Sequence, residues 1–201
     1  MSGPEAYLLP RDEYEKRRLD LQHTVITRHF NGCLPASVAP GPQAKILDTG
    51  CGTGVWSIDL AKHLPSTVTF HACDISPDNF PPAGSNETAA NVHFAAHSVL
   101  AFPSEWSDSF DAIRQRLMQG GITQAEWRAA MKEMHRILRP GGHIVLVEID
   151  HAGFNGALSA PVPAADKISA YWKTRYSQND RLWDSRSLIP DMLKEAGFQE
   201  V

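Results

Sequence analysis

The chain has 201 residues, 42% of them hydrophobic and 21% charged, and its formal net charge at pH 7 is −4. This length suits one domain with a substantial core, and the weakly negative charge excludes the basic footprint of a nucleic-acid-binding protein. Because no apolar run is long enough for a bilayer and charges occupy the place of a signal-peptide core, we expect a cytoplasmic or nuclear protein with neither membrane nor nucleic acid as partner.

The first stretch of the chain predicts one amphipathic helix from Pro10 to about Phe30. Its apolar residues recur at helical spacing: Tyr14, Leu21, Val25. Residues 31–43 are rich in proline and glycine, which is typical of a linker. From its own pattern, the helix could also be a solvated element that packs on the domain for stability alone.

The stretch ILDTGCGTGVW, residues 46–56, joins a predicted strand to a predicted helix through a glycine turn. Glycine tolerates unusual backbone angles and lets a ligand approach the main chain. The helix N-terminus directs free N–H groups at the same place. The pattern is G-x-G-x-G, because Val55 stands where a dinucleotide fingerprint needs its third glycine, and no Walker lysine follows. The turn therefore predicts a site for a nucleotide-like cofactor.

Three further strands are predicted after this unit, over residues 68–73, 92–96 and 110–113. Asp74 follows the first of them and would meet a ribose if the strands are parallel neighbours. The last strand is followed by Arg114-Gln115-Arg116, whose polar side chains would lie beside the expected ligand crevice. The segment after Asp74 is too rich in proline and glycine for a long helix.

The last part of the chain predicts helices separated by one more strand. Thr123 and Glu126 form a capping box before a helix with an apolar core stripe. Residues 143–149 are a continuous apolar run, which indicates a strand buried on both faces. Helices are predicted over residues 164–176 and 184–196. Strands alternating with helices imply a parallel sheet with right-handed crossovers.

Together these segments resemble the class I S-adenosylmethionine-dependent methyltransferases. The resemblance rests on the glycine turn, Asp74, FDAIRQR and LRPGGHIVLVE. The segments YLLPRDEYEKRRLDLQH and RQRLMQGGITQAEW resemble the fungal LaeA-like subgroup of secondary metabolism. The resemblance implies an α/β fold with a Rossmann-like sheet and helices on both faces. An N-terminal helical extension, residues 1–43, would precede a methyltransferase domain, residues 44–201, and such leading helices often cover the cofactor pocket.

The chain stops where the family would begin its sixth strand, so we expect the C-terminal strand hairpin to be missing. An exposed sheet edge would then be covered by a second copy in a homodimer or by a protein partner.

The resemblance also implies a set of S-adenosyl-L-methionine-binding residues. The methionine end would be held by the glycine turn and the Gln115-Arg116 region, the ribose by Asp74, and the adenine by Ile75. Ser98 replaces an acid that binds the adenine amino group in many relatives. Asp48 would reach the cofactor's amino group indirectly or only fix the turn. The complete predicted set is Asp48, Gly50, Cys51, Gly52, Asp74, Ile75, Ser98, Val99, Gln115, Arg116.

A catalytic base is needed for a hydroxyl acceptor but not for a thiol or an amine. His151, after the fifth strand, is the first candidate, with Glu148 and His23 as others. Each is more often a structural or surface residue. The three cysteines lack metal-ligand spacing, so we expect reduced thiols and no metal.

The leading functional prediction is methyl transfer to an O, N or S atom of a small-molecule secondary metabolite. One alternative is a LaeA-like regulatory protein that acts through a protein partner. Another is an enzyme that binds the cofactor but catalyses a rearrangement or cyclisation without methyl transfer. A nicotinamide oxidoreductase is disfavoured by Val55 and by the lack of a hydride-transfer constellation.

Overall fold

The computed structural model describes residues 12–85, 89–151 and 163–201. The strands are β1 (Lys45–Thr49), β2 (Thr69–Asp74), β3 (Val92–Ala96), β4 (Phe110–Arg116) and β5 (Leu138–Val147). The α-helices are α1 (Glu13–Phe30), α2 (Val55–Ala61), α3 (Gln124–Ile137), α4 (Pro163–Gln178) and α5 (Ser185–Ala196). Within the described ranges, no helix has the length and apolar character that a bilayer crossing requires.

The five strands form one sheet in the order β3-β2-β1-β4-β5. β1 pairs in parallel with β2 and β4, and β2 pairs in parallel with β3. The carboxyl ends of these strands therefore meet at one edge, where Thr49 lies beside both Cys73 and Gln115. The sheet confirms the α/β fold class expected from the sequence.

Two compact units divide the chain. The sheet unit consists of Leu9–Arg116 and Arg136–Leu146, and the helical unit includes Leu117–His135 and Val147–Val201. The sheet unit contains α1, α2 and most of the sheet. The boundary predicted after residue 43 stays a prediction.

In the sheet unit, α2 covers part of the sheet with Trp56 and Leu60, which are buried against apolar strand residues such as Phe70 and Val92. Asp12 begins α1 by accepting a hydrogen bond from the Glu15 N–H, which satisfies one free donor of the first turn. The start predicted at Pro10 lies outside the described residues.

The apolar spacing that predicts α1 does not mark its buried face. Tyr14, Leu21 and Val25 are 78%, 65% and 60% exposed, whereas Glu15 and His23 are buried. The buried residues of this helix are therefore polar, which a hydrophobic pattern cannot reveal.

In the helical unit, the Thr123 hydroxyl donates to Glu126, and the Glu126 N–H donates to Thr123. The predicted capping box is therefore confirmed. Trp127 and Met131 behind it are fully buried, as the predicted core stripe requires. Asp184 caps α5 by accepting from the Ser187 N–H.

β4 and β5 differ from the sequence prediction. β4 continues to Arg116, so Gln115 and Arg116 belong to the strand itself. β5 begins at Leu138 and includes Gly141, whose φ of 77° only glycine adopts easily. The expectation that residues 143–149 form a strand buried on both faces was wrong, because none of these residues is buried. Among the described strands β5 has β4 as its one neighbour, and such an edge position leaves it half-exposed.

Candidate functional site

The glycine turn after β1 has a backbone that side chains would disrupt. Gly50, Gly52 and Gly54 have φ values of 66°, 57° and 72°, in the left-handed region that favours glycine. A Cβ at Gly54 would lie 2.2 Å from Cε1 of Phe94. The Cys51 N–H donates to the Cys73 carbonyl at 3.0 Å, which ties the turn to β2.

Asp74 ends β2 with its carboxylate fixed beside this turn. One oxygen accepts from the Gly52 N–H at 2.9 Å, and the other accepts from the Ser76 N–H at 3.2 Å. The side chain is half-buried, and the next residue, Ile75, is 55% exposed. The structure thus brings Asp74 and the turn together, as the cofactor prediction requires.

Gln115 and Thr49 form a buried polar pair at the same edge of the sheet. They are register partners in β4 and β1, and both are 0% exposed. In the described part of the chain, neither the Gln115 amide nor the Thr49 hydroxyl has a hydrogen-bond partner. Buried polar groups are almost always satisfied by protein, water or ligand. This pair therefore fits a polar ligand bound at the carboxyl ends of β1 and β4. Gln115 could be predicted from the sequence, whereas Thr49 could not, because a lone threonine in a strand carries no signal.

Asp48 is fully engaged by the protein. One oxygen pairs with the Arg114 guanidinium at 2.8 Å and the other accepts from the Ser57 hydroxyl at 3.0 Å. Arg114 also lies 4.8 Å from the Trp56 ring centre, in a cation–π contact. This geometry matches the interpretation of Asp48 as the group that fixes the turn, and a cofactor contact by Asp48 stays a prediction.

The remaining predicted binding residues border the same edge. Burial, with a further contribution from Arg114, lowers the pKa of Arg116 to about 10, so the side chain stays cationic at neutral pH. Burial raises the pKa of the Cys51 thiol well above its ordinary value, so the thiol stays protonated. Ser98 accepts a hydrogen bond from the Leu100 N–H at 3.2 Å, and Val99 is buried.

α1 lies directly over the glycine turn. The Thr53 hydroxyl donates to Asp20 at 2.9 Å, and a Cβ on Gly52 would stand 3.2 Å from a methyl group of Leu19. The leading helix therefore covers the turn that is expected to hold the cofactor.

His23 connects α1 to α2 and to the end of β4. Its Nε2 lies 3.1 Å from Asp59, and its Nδ1 lies 3.5 Å from an Arg116 nitrogen. Burial lowers the pKa of His23 and Arg116 lowers it further, whereas Asp59 opposes the shift. The ring is therefore neutral at pH 7.

The other two candidate bases belong to the helical unit. Glu148 accepts hydrogen bonds from the Met118 and Gln119 N–H groups at 2.8 and 3.2 Å. His151 stacks on Trp183 with ring centres 5.1 Å apart and meets the Tyr176 ring edge-on. Burial lowers the pKa of His151, which leaves the ring neutral at pH 7. Its role as a base stays a prediction.

Residues 46–142, which include the glycine turn, Asp74 and Gln115, match a family model described as a methyltransferase domain. These residues are therefore similar in sequence to methyltransferase domains. The chain is 35% identical over 148 residues to N-methyltransferase sirN of Leptosphaeria maculans, covering 72% of this chain and 50% of the relative. It is 35% identical over 152 residues to the secondary metabolism regulator laeA of Aspergillus fumigatus, covering 72% of this chain and 37% of the relative. The chain thus spans about half or less of the length of these two relatives.

The fold of this chain also matches the folds of solved structures. A methyltransferase complex with the Haloferax volcanii Trm112 activator matches with a TM-score of 0.68 and 16% identity, covering 93% of this chain and 74% of that one. Phosphoethanolamine N-methyltransferase 2 of Haemonchus contortus, bound to S-adenosylhomocysteine, matches with a TM-score of 0.57 and 20% identity. That match covers 89% of this chain and 37% of the Haemonchus chain.

Proposed function

We propose that this chain binds S-adenosyl-L-methionine at the carboxyl ends of β1, β2 and β4 and transfers its methyl group to an O, N or S atom of a small-molecule secondary metabolite. The observation that carries this proposal is the buried, unpartnered Gln115 amide, which lies at the edge where Asp74 and the glycine turn also meet. The similarity to a fungal protein named as an N-methyltransferase and to others named as secondary metabolism regulators supports the proposal.

The residues present fit this cofactor. Asp74 offers a carboxylate of fixed orientation to the two ribose hydroxyls. Gly50 and Gly52 hold the left-handed backbone angles of the turn, which glycine adopts at little cost. Gln115 and Thr49 offer buried polar groups to the charged methionine end. Arg116 carries a positive charge suited to a carboxylate.

When bound, S-adenosyl-L-methionine supplies a methyl group already activated by its sulfonium. The residues of the chain therefore orient the acceptor and the donor and exclude water. Such orientation lowers the activation free energy by up to about 7–11 kcal/mol in favourable cases. For a hydroxyl acceptor, a neutral histidine would accept the proton. His151 and His23 are both neutral at pH 7 because burial lowers their pKa values.

The direct test measures cofactor binding and product mass together. Gln115→Leu keeps the side-chain volume but removes the polar groups, so we expect it to weaken S-adenosylhomocysteine binding in calorimetry by about tenfold or more. Gln119→Leu is the matched control, since Gln119 is also a buried glutamine but belongs to the helical unit. Equal affinities of wild type and Gln115→Leu would contradict the placement of the site.

A regulatory role is the second candidate, because relatives named as secondary metabolism regulators match at 35% identity. In that case the chain binds the cofactor and acts through a protein partner in the nucleus. Co-purification with a partner, without methylation of any small acceptor, would favour it. A product of unchanged mass would instead indicate a rearrangement or cyclisation.

A further inference from the structure

A cluster of three metal-ligating side chains lies on the α2 side of α1. His23 comes from α1, Cys33 from the segment after it, and Asp59 from α2. Their ligating atoms all lie within 4.8 Å of one another. Linear spacing gave no signal for this cluster because its members come from separate elements, and the closest two in sequence, His23 and Cys33, are ten residues apart.

Two of the three pairs of ligating atoms already have nearly the separation that a metal ion needs, and the third pair, His23 with Cys33, lies within 4.8 Å. Zinc–ligand bonds of about 2.0–2.3 Å in a tetrahedral arrangement place neighbouring ligand atoms about 3.3–3.7 Å apart. Asp59 Oδ2 lies 3.1 Å from His23 Nε2 and 3.4 Å from Cys33 Sγ. Shifts of a few tenths of an ångström would bring these two pairs to coordinating distances.

Contacts with the rest of the fold hold two of the three ligands, Cys33 and His23, in place. The Trp56 indole N–H donates to the Cys33 carbonyl at 2.9 Å. The segment leaves α1 through Asn31, whose left-handed φ of 53° ends the helix. The Thr27 hydroxyl lies 3.5 Å from His23 Nδ1, where it can accept a hydrogen bond from the Nδ1–H of a ring bound through Nε2. Such outer contacts orient metal-ligating histidines in known sites.

The cluster is open to solvent on one side. A groove lined by His23, Asp59, Thr24 and Lys62 leads to it, and the Asp59 side chain is 30% exposed. An ion thus has an entry path, and a water molecule from the groove can complete four-coordination.

Some of the neighbouring charges favour a bound cation at this cluster, and others disfavour it. Asp59 and an ionised Cys33 bring two negative charges to the site. Lys62 lies 3.9 Å from Asp59 and Arg116 lies 3.5 Å from His23, and both disfavour a cation. A soft thiolate with imidazole and carboxylate selects zinc over the hard cations Mg²⁺ and Ca²⁺.

We propose that His23, Cys33 and Asp59 form a zinc site that fastens α1 and the following segment to α2. Binding forms one bond to each ligand, and the Cys33 thiol proton passes to solvent, so no oxidant or reductant is involved. A zinc-bound His23 would not serve as a base for methyl transfer, and the test of the zinc site does not require a turnover assay.

The test uses the 201-residue chain after removal of metals with a chelator. Titration with Co²⁺ should give a thiolate-to-metal charge-transfer band that saturates at one equivalent. Competition with a chromophoric chelator should then give the Zn²⁺ affinity. Cys33→Ser preserves the size of the side chain and its hydrogen bond to Asp59, so the variant should fold. We expect it to lose the band and to bind Zn²⁺ more weakly than wild type, by more than the roughly 10–100-fold that substitutions outside the ligand set cost.

Cys73→Ala is the control for thiols, since Cys73 is buried in the sheet away from the groove. Its band and Zn²⁺ affinity should equal those of wild type. Asp59→Asn should weaken Zn²⁺ binding while circular dichroism stays unchanged. The proposal is overturned if Co²⁺ gives no thiolate band, if Cys33→Ser binds Zn²⁺ as tightly as wild type, or if Cys73→Ala is the variant that loses the band.

Discussion

Replacing Asp74 by alanine removes the carboxylate that is expected to bind the ribose. In the protein alone, this carboxylate already accepts hydrogen bonds from the Gly52 and Ser76 N–H groups, so its oxygens are held in place before a ligand arrives. A hydrogen bond to a charged group contributes about 1.5–3 kcal/mol. At about 1.4 kcal/mol per factor of ten, Asp74→Ala should weaken S-adenosylhomocysteine binding by about 10- to 150-fold.

Isothermal titration calorimetry measures this loss directly. Asp74→Asn retains one carbonyl oxygen without the charge, so its affinity should fall between those of wild type and Asp74→Ala. Asp78→Ala is the matched control, because it removes a carboxylate four residues further on, at an exposed position. The reasoning is refuted if the alanine variant of Asp74 is folded, as judged by its thermal unfolding, and binds within twofold of wild type.

Three further predictions concern the sheet unit. A left-handed backbone costs a residue other than glycine about 1–2 kcal/mol. Gly54→Ala should lower the free energy of urea unfolding by more than this amount, because its Cβ would also meet the Phe94 ring at 2.2 Å. Asp48→Asn should cost about 3–5 kcal/mol in the same assay, because it leaves the buried Arg114 without its counterion. Burial lowers the pKa of His71 from 6.5 to about 4, and the charges of Lys45 and the neighbouring histidines make smaller contributions in the same direction. The unfolded chain therefore binds this proton more readily, and stability should fall as the pH decreases from 6.5 towards 4. His71→Phe should flatten that decrease.

Each of these three substitutions has a control substitution elsewhere in the chain. Gly84 has nearly the same φ, 74°, but open space around its Cβ position, so equal losses for Gly54→Ala and Gly84→Ala would contradict the steric argument. The Arg139–Asp111 pair has the same 2.8 Å separation as the buried pair but is partly exposed, and Asp111→Asn should cost no more than about 1 kcal/mol. His63→Gln changes an exposed histidine and should leave the pH dependence as in wild type.

The sequence predicted the parts of the fold that have local signals. The glycine turn, the capping box at Thr123 and the strand that ends at Asp74 each depend on residues close together in the chain, and the structure has all three. The order of elements follows from their alternation. The parallel sheet at the centre of the fold could therefore be predicted without any long-range contact.

Features that depend on distant residues could not be predicted. The buried residues of α1, Glu15 and His23, are both polar. The apolar spacing of this helix therefore selected residues that are exposed. Thr49 became a candidate only when pairing placed it beside Gln115. The exposure of β5 depends on its place in the sheet, which an apolar run does not specify.

The contact between Gly54 and Phe94 has a consequence for the evolution of this family. The phenylalanine ring occupies the space in which any larger residue at position 54 would have to place its first carbon. The two positions are therefore not free to vary separately. A homologue with alanine in the turn would need a smaller side chain at position 94, and an alignment of many homologues should reveal this covariation.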